Sequence, residues 1–159
     1  MGRPAPVTTE PTSNVYAPLV DEIVGGRRNV FLTGRAGTGK TTLLRQLIFN
    51  SLEKAVVLAP TGLAAVNVGG QTIHSFFNFP PRLLDAGDTK KIRNQRLVKA
   101  IETMVIDEVS MVRADMMQAI DNSLRLNRAD KRPFGGVRMI LSGDLHQLPP
   151  VVGADVEHI

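Results

Sequence analysis

Cysteine is absent from the sequence, so disulfide bonds, thiolate zinc sites and cysteine nucleophiles are excluded. No apolar run approaches the roughly 20 residues that a membrane-spanning helix needs. The first residues also lack the charged-then-apolar pattern of a secretion signal. Residues 1–13, rich in proline and threonine, are instead predicted to form a flexible N-terminal tail. We therefore expect a protein without membrane association.

The remaining composition is that of an ordinary globular domain. Hydrophobic residues make up 43% of the chain and charged residues 21%, which leaves enough apolar material for a sizeable core. The length of 159 residues suits a single domain. The formal net charge of +4 permits a nucleic-acid partner without requiring one.

Four short apolar runs divide the chain, and each ends in a turn or in polar residues. The runs are Asn29–Thr33, Ala55–Ala59, Thr103–Ile106 and Arg138–Ser142. Continuous apolar runs suit strands that are buried on both faces, as in parallel sheets. Helical patterns occupy Thr41–Glu53 and Arg113–Leu126, and Val15–Val24 is predicted to form a leading helix. The alternation predicts an α/β fold with a mostly parallel central sheet flanked by helices.

Residues Gly34 to Thr41 (GRAGTGKT) have the spacing of a phosphate-binding loop, with two glycines bracketing four residues before Lys-Thr. Glycines let the backbone fold around an anion, and the following helix directs its positive end at the phosphates. Lys40 is expected to reach the β- and γ-phosphates, and the Thr41 hydroxyl to ligate Mg²⁺. The predicted nucleotide-binding residues are Gly34, Ala36, Gly37, Thr38, Gly39, Lys40, Thr41 and Thr42. The alternative is a plain glycine turn before a helix, but a strand before the loop and a helix after it favour the nucleotide site.

Two acidic residues, Asp107 and Glu108, follow the third apolar run directly. Asp107 is predicted to hold Mg²⁺ through its water shell, and Glu108 to orient or deprotonate an attacking water. Adjacent carboxylates are also common on solvated loops. Their position after a buried strand, downstream of a phosphate loop, favours the catalytic interpretation. Glu108 favours an ATPase over a passive nucleotide binder.

The fourth run leads into Gly143–Pro150 (GDLHQLPP) at the edge of the sheet where ligands of such folds bind. Gln147 is placed to bind the γ-phosphate and to sense its loss, and Asp144 is a candidate for the water network of the metal. The alternative is a turn stiffened by two prolines. His146 is expected to be solvated or structural.

The segment Ala59–Phe77 combines small residues with potential donors to phosphate or sugar at Thr61, His74 and Ser75. Three phenylalanines are candidates for a base-stacking face, with ordinary core positions as the alternative. These are Phe76, Phe77 and Phe79. The basic stretch Pro80–Lys99 is predicted to be a loop followed by a short helix, and it either contacts DNA or forms a solvated face.

Together these segments resemble the PIF-family DNA helicases of superfamily one, the branch that also contains the RecD-like motors. The matching stretches follow the order of the family and cover most of Asn29–Val151. They are NVFLTGRAGTGKTTLL, VVLAPTGLAAVNVGGQTIHSFF, MVIDEVSMV and MILSGDLHQLPPV. The resemblance implies a P-loop NTPase fold of the RecA type, with ATP and Mg²⁺ bound. It also implies 5′-to-3′ translocation on single-stranded DNA, in DNA repair, recombination or replication.

The resemblance also implies roles for individual residues. It gives catalytic roles to Lys40, Glu108 and Gln147, and metal binding to Thr41 and Asp107. The residues that it places along the DNA strand are Pro60, Thr61, Gly62, His74, Ser75 and Phe76. The family's adenine-reading glutamine has no counterpart between Ser13 and Asn29, where Asn14 and Tyr16 are the possible substitutes.

By the same resemblance, residues 14–159 are expected to be the first of two RecA-like motor domains. ATP would lie in the cleft between them, and the second domain, with its catalytic arginines, is expected to be absent from this chain. The chain alone is then not expected to unwind DNA. The alternatives are a nucleotide- or DNA-binding module without useful catalysis, or another P-loop ATPase. The expected location is the cytoplasm or nucleoid of a bacterium, or the nucleus or mitochondrion of a eukaryote.

Overall fold

A parallel sheet forms the centre of the computed structural model, which describes residues 17–50 and 52–147. The five strands within these residues are β1 (Val30–Thr33), β2 (Ala55–Ala59), β3 (Gln71–Thr72), β4 (Thr103–Ile106) and β5 (Arg138–Gly143). Their order across the sheet is β1-β5-β4-β2-β3, and every neighbouring pair is parallel. The predicted α/β class with a parallel sheet is therefore confirmed.

Helices and short 3₁₀ turns connect the strands. The helices are α1 (Ala17–Gly25), α2 (Lys40–Asn50), α3 (Gly62–Val68), α4 (Ile73–Phe77), α5 (Gln95–Ala100) and α6 (Ala114–Arg128). The 3₁₀ turns are Ala86–Asp88, Val109–Met111 and Pro133–Gly136. In the part of the chain that the structure describes, no helix has the length and apolar character needed to cross a membrane.

The predicted element boundaries are largely correct, with two differences of note. Helix α2 ends at Asn50 and does not reach Glu53, because the chain turns through Lys54, which has a positive φ of 51°, before β2 begins. Strand β1 begins at Val30, since the side chain of Asn29 accepts a hydrogen bond from the backbone N–H of Met139 at 3.0 Å.

The central strands β2, β4 and β5 are mostly buried, as their apolar character predicts, whereas Phe31 and Thr33 of the edge strand β1 are exposed. All four residues of β4 are buried. Met104 and Ile106 belong to the core beneath α4, α5 and α6, whereas Val105 belongs to the core beneath α1, α2 and α3. Successive side chains of β4 thus pack into the cores on opposite faces of the sheet. The loops that follow β1, β4 and β5 all begin at the carboxyl ends of these parallel strands, which lie at one edge of the sheet.

The basic segment after α4 is fixed to α6 by the buried side chain of Asn127. Its Oδ1 accepts hydrogen bonds from the Ile92 N–H and from Gln95 Nε2, both at 2.8 Å. Its Nδ2 donates to the carbonyls of Lys90 and Ser123, at 3.1 and 2.8 Å. Asn127 is 2% exposed, so these hydrogen bonds satisfy its amide group without water. The segment is anchored although it has little regular structure.

We expect Asn127→Ala to lower the free energy of unfolding by about 2–4 kcal/mol, because it leaves buried donors and acceptors without partners. Urea denaturation measures this loss. The control is Asn122→Ala on the same helix, which removes one exposed hydrogen bond with Gln118 and should change stability by less than about 0.5 kcal/mol. Equal losses in the two variants would contradict an anchoring role for Asn127.

Candidate functional site

The glycine-rich loop joins the carboxyl end of β1 to the first turn of α2. Gly37 and Gly39 have φ angles of 79° and 84°, a left-handed conformation that costs other residues energy. The Leu43 N–H donates to the Gly39 carbonyl at 2.9 Å, so helical bonding begins within the loop. The local geometry is that of a phosphate loop, with a strand before it and a helix N-terminus after it.

The side chain of Lys40 folds back over its own loop. Its Nζ donates to the carbonyl oxygens of Gly34 and Arg35, the latter at 2.9 Å. The position of the ammonium group is therefore fixed by contacts that are local to the loop.

Thr41 and Asp107 connect the loop to the end of β4. Thr41 Oγ1 donates to Asp107 Oδ2 at 3.0 Å, and Asp107 Oδ1 accepts the Glu108 N–H at 3.0 Å. Asp107 is 3% exposed. Among the described residues no group of three or more His, Cys, Asp or Glu side chains is placed to hold a metal. One carboxylate beside one hydroxyl fits Mg²⁺, which takes few protein ligands and completes its shell with phosphate and water.

Glu108 has an unusual backbone and an unusual environment. Its φ and ψ angles of 53° and 41° lie in the left-handed region, which is rare for a side chain of this kind and marks stored strain. Burial raises the pKa of the Glu108 carboxyl, as do the nearby carboxylates of Asp107 and Asp144, against an opposing effect of Lys40. A raised pKa brings a carboxylate closer to the strength that a general base needs.

Asp144 contacts the phosphate loop directly. Its Oδ2 accepts the Ala36 N–H at 2.9 Å, and its Oδ1 accepts the His146 N–H at 2.9 Å. The hydrogen bond from His146 is the main reason why the pKa of Asp144 is lowered, and the bond from Ala36 adds to it. The structure thus gives Asp144 a contact that the sequence did not predict, and its place in the water network of the metal stays a prediction. Gln147 follows in the same turn, with its N–H donating to the Asp144 carbonyl at 3.1 Å.

Most of the predicted DNA-binding residues lie together at this same edge. Strands β2 and β3 are neighbours, with Ala59 paired to Thr72, so Pro60–Gly62 and His74–Ser75 leave the sheet side by side. Ser75 and Gly62 are exposed. The hydroxyl of Thr61 already accepts the Ala64 N–H at 3.2 Å as the N-cap of α3.

The phenylalanines of this region are core residues. Phe76, Phe77 and Phe79 are 8%, 4% and 5% exposed. Phe77 meets Phe76 edge-on, with ring centroids 4.8 Å apart, and stacks on Phe79 at 5.1 Å. The ring of Phe76 would have to leave the core to stack on a base. The alternative named for these rings, packing, is the arrangement in the structure, and a DNA contact of Phe76 stays a prediction.

Three further residues at this edge have features that sequence reasoning missed. Ser142 is completely buried, whereas Leu63 and Leu145 are 76% and 66% exposed. A serine closing an apolar strand, and leucines beside turn residues, are weak patterns that gave no reason to select them. The candidate adenine contacts Asn14 and Tyr16, the tail at 1–13 and the two prolines after Gln147 lie outside the described residues.

The sequence is similar to those of known DNA helicases. The family model for PIF1-like helicase matches residues 8–158. The ATP-dependent DNA helicase PIF1 of Saccharomyces cerevisiae is 43% identical over 136 residues, which cover 77% of this chain and 16% of that protein. The ATP-dependent DNA helicase RRM3 of the same species is 38% identical over 152 residues, covering 89% of this chain and 21% of that protein. The chain thus spans about a fifth of the length of these relatives.

Solved structures give the same result. The Pif1 helicase from Bacteroides in complex with ADP-AlF3 and ssDNA matches with a TM-score of 0.82 and 40% identity, over 92% of this chain and 35% of that one. The Pif1 helicase from Candida albicans matches with a TM-score of 0.77 and 35% identity, over the same shares of the two chains. Each match covers 92% of this chain, so the RecA-like fold is shared. From the fold, the loops at its carboxyl edge and these matches, the chain belongs to the PIF1-like helicase family.

Proposed function

We propose that this chain is the ATP-binding and ATP-hydrolysing motor domain of a DNA helicase that moves 5′ to 3′ along single-stranded DNA. The observation that carries the proposal is the 3.0 Å contact between Thr41 Oγ1 and Asp107 Oδ2. It joins the glycine-rich loop to the acidic end of β4, so that the groups suited to phosphate, cation and water lie at one edge of the sheet.

The triphosphate would lie along residues Gly34–Thr42, with backbone N–H groups directed at its oxygens. Lys40 would exchange its two loop carbonyls for the β- and γ-phosphates. Thr41 and Asp107 would hold Mg²⁺, which neutralises negative charge on the phosphates. These assignments are supported by the local contacts of Lys40 and by the burial of Asp107.

Hydrolysis needs a water that is oriented and deprotonated. Glu108 would accept a proton from this water as its oxygen attacks the γ-phosphorus, and the bond from the γ-phosphorus to the bridging oxygen of ADP breaks. The raised pKa of Glu108 supports its role as the base. Gln147 would hydrogen-bond the γ-phosphate and respond to its departure.

DNA would cross the carboxyl edge over the ends of β2 and β3. The residues proposed to contact it are Pro60, Thr61, Gly62, His74, Ser75 and Phe76. The side-by-side exit of these segments from the sheet supports the assignment. So do the structures of Bacteroides Pif1 bound to ssDNA, which are 40% and 42% identical to this chain over the matched region.

A second domain would complete the cleft in the whole protein. Residues 14–159 are proposed to form the first RecA-like domain, and the greater length of the relatives supports a further domain in proteins of this kind. Leu63 in the first turn of α3 and Leu145 in the turn after β5 are largely exposed near the carboxyl edge. Large exposed apolar side chains there suit a surface that another domain covers. The proposal does not include DNA unwinding by this chain alone.

We expect the chain to bind Mg²⁺–ATP weakly and to hydrolyse it slowly, with little stimulation by single-stranded DNA. An arginine supplied by another domain typically contributes about 10³–10⁵ in rate. Phosphate release with and without an oligonucleotide measures this, with Glu108→Gln as the background. Rapid, DNA-stimulated turnover by the chain alone would contradict the proposal that another domain supplies a catalytic arginine.

The main alternative is a binding module without useful catalysis, in which the parent rate equals that of Glu108→Gln. Titration of a labelled oligonucleotide at two salt concentrations tests the DNA part separately. Contacts to phosphates release counterions, so the affinity should fall as salt rises. Absence of binding at low salt would remove DNA from the proposal and leave the nucleotide site.

A further inference from the structure

Ser142, near the end of β5, has a buried hydroxyl without a hydrogen-bond partner among the described residues. The hydroxyls of Thr89 and Ser110 share this property, but those two residues are partly exposed, whereas Ser142 is 0% exposed. Buried polar groups are nearly always paired, because an unpaired one loses its hydration without compensation. The unpaired Ser142 hydroxyl therefore needs an explanation.

The register of the sheet places Ser142 next to the end of β4, which leads into Asp107. Strand β5 lies between β1 and β4, and Ser142 pairs with Leu32, the residue just before the end of β1. On the other side Leu141 pairs with Ile106, so Ser142 and Asp107 are each one residue further along adjacent strands.

The two side chains also share a face. Ile140 and Val105, two residues before Ser142 and Asp107, both belong to the core beneath α2. Because side chains alternate along a strand, Ser142 and Asp107 project to that same face. The contact between Asp107 and Thr41 of α2 agrees with this orientation. The unpaired hydroxyl therefore lies beside the carboxylate that is proposed to hold Mg²⁺, on the α2 side of the sheet.

We propose that Ser142 is a positioning residue of the metal–nucleotide site, whose hydroxyl gains its hydrogen bond within the shell that Asp107 holds around Mg²⁺. This inference rests on the proposed function, since it presupposes a nucleotide at the loop. In the nucleotide-free protein both oxygens of Asp107 already accept hydrogen bonds, from Thr41 and from the Glu108 N–H. The Ser142 hydroxyl then forms a hydrogen bond only when Mg²⁺ and the nucleotide are bound.

The test is Ser142→Ala, which removes the oxygen and little else. The nucleotide-free variant should unfold at the same temperature as the parent or up to about 2–4 °C higher, because a buried unpaired hydroxyl is removed. Its affinity for Mg²⁺–ADP, measured by calorimetry, should fall about ten-fold. Its affinity for ADP in the presence of a chelator should not change.

Ser123→Ala is the matched control. Ser123 is 1% exposed on α6, and its hydroxyl accepts a hydrogen bond from Asn127 Nδ2 at 3.3 Å. This variant should unfold at a lower temperature and bind Mg²⁺–ADP as the parent does. The unfolding temperature should thus fall for Ser123→Ala but not for Ser142→Ala. This difference distinguishes a hydroxyl without a hydrogen bond from one that stabilises the fold.

Three results would overturn the inference: a lower unfolding temperature for Ser142→Ala, an unchanged affinity for Mg²⁺–ADP, or an equal loss with and without the cation. If the parent binds Mg²⁺–ADP and only Lys40→Ala loses it, the nucleotide site stands and the role of Ser142 alone is refuted. If the parent binds no ADP under any condition, the proposed function fails and the role of Ser142 fails with it.

Discussion

Lys40→Ala is expected to weaken Mg²⁺–nucleotide binding by at least about 100-fold while the unfolding temperature changes little. Hydrogen bonds to charged groups contribute about 1.5–3 kcal/mol each, and the loss of two such contacts corresponds to a factor of this size. The fold should tolerate the change, because within residues 17–50 and 52–147 the ammonium donates hydrogen bonds only to the carbonyls of Gly34 and Arg35, in its own loop. Calorimetric titration with Mg²⁺–ADP measures the affinity, and circular dichroism the unfolding temperature.

Arg45→Ala provides the control for net charge. Arg45 is an exposed cation on the same helix, α2, one and a half turns beyond the loop. Its loss lowers the net charge equally and should leave the affinity within about two-fold of the parent, as is usual for a surface change distant from the site. Binding of Mg²⁺–ADP by Lys40→Ala at the parent affinity would show that the glycine-rich loop does not hold the phosphates.

Glu108→Gln is expected to lower the rate of ATP hydrolysis by about 10²–10⁴ and to leave nucleotide binding intact, since general bases contribute factors of this order. The same change should raise stability at neutral pH. Burial and the carboxylates of Asp107 and Asp144 disfavour the charged form of Glu108, and the amide removes that charge. A variant that is more stable and less active is the pattern expected of a strained catalytic position.

The pH dependence follows from the raised pKa of Glu108. Between its ordinary pKa and the raised value, the folded chain holds a proton that the unfolded chain has released, so stability falls as pH rises through that window. The Gln variant should lack this fall. Hydrolysis by the parent needs the carboxylate form, so its rate should fall as pH is lowered through the raised pKa.

Glu53→Gln is the matched control for these measurements. Glu53 is exposed between α2 and β2. Its replacement should alter neither the hydrolysis rate nor the fall of that rate at low pH. Hydrolysis by Glu108→Gln at the rate of the parent would exclude Glu108 as the base.

The fold was largely predictable because its strands are unambiguous. β2 and β4 have the predicted ends, since each is a continuous apolar run that both layers bury. Strand β3 and helices α3 and α4 were not predicted. β3 is two residues long, and α3 depends on its caps, Thr61 before it and the left-handed Gly69 after it. Elements this short have no periodicity to detect, and their positions are set by tertiary contacts.

The site was predictable where a motif specifies spacing along the chain. The pairing of Thr41 with Asp107, 66 residues apart, follows from the rule that parallel strands present their carboxyl ends at one edge. The contact of Asp144 with the loop and the unpaired hydroxyl of Ser142 did not follow, and the sequence left the burial of Phe76 as one of two alternatives. Each depends on which face or neighbour a side chain meets, and sheet order decides this only after folding.

The bond between Asp144 and the Ala36 amide has a mechanical consequence. It fastens the tip of the phosphate loop to the turn that ends in Gln147, and Gln147 is itself fastened to Asp144 through its own N–H. We expect a displacement of the loop tip to move Gln147 as well, because these two hydrogen bonds connect them through Asp144 alone. The segment that would respond to the loss of the γ-phosphate is then only four residues long, from Asp144 to Gln147.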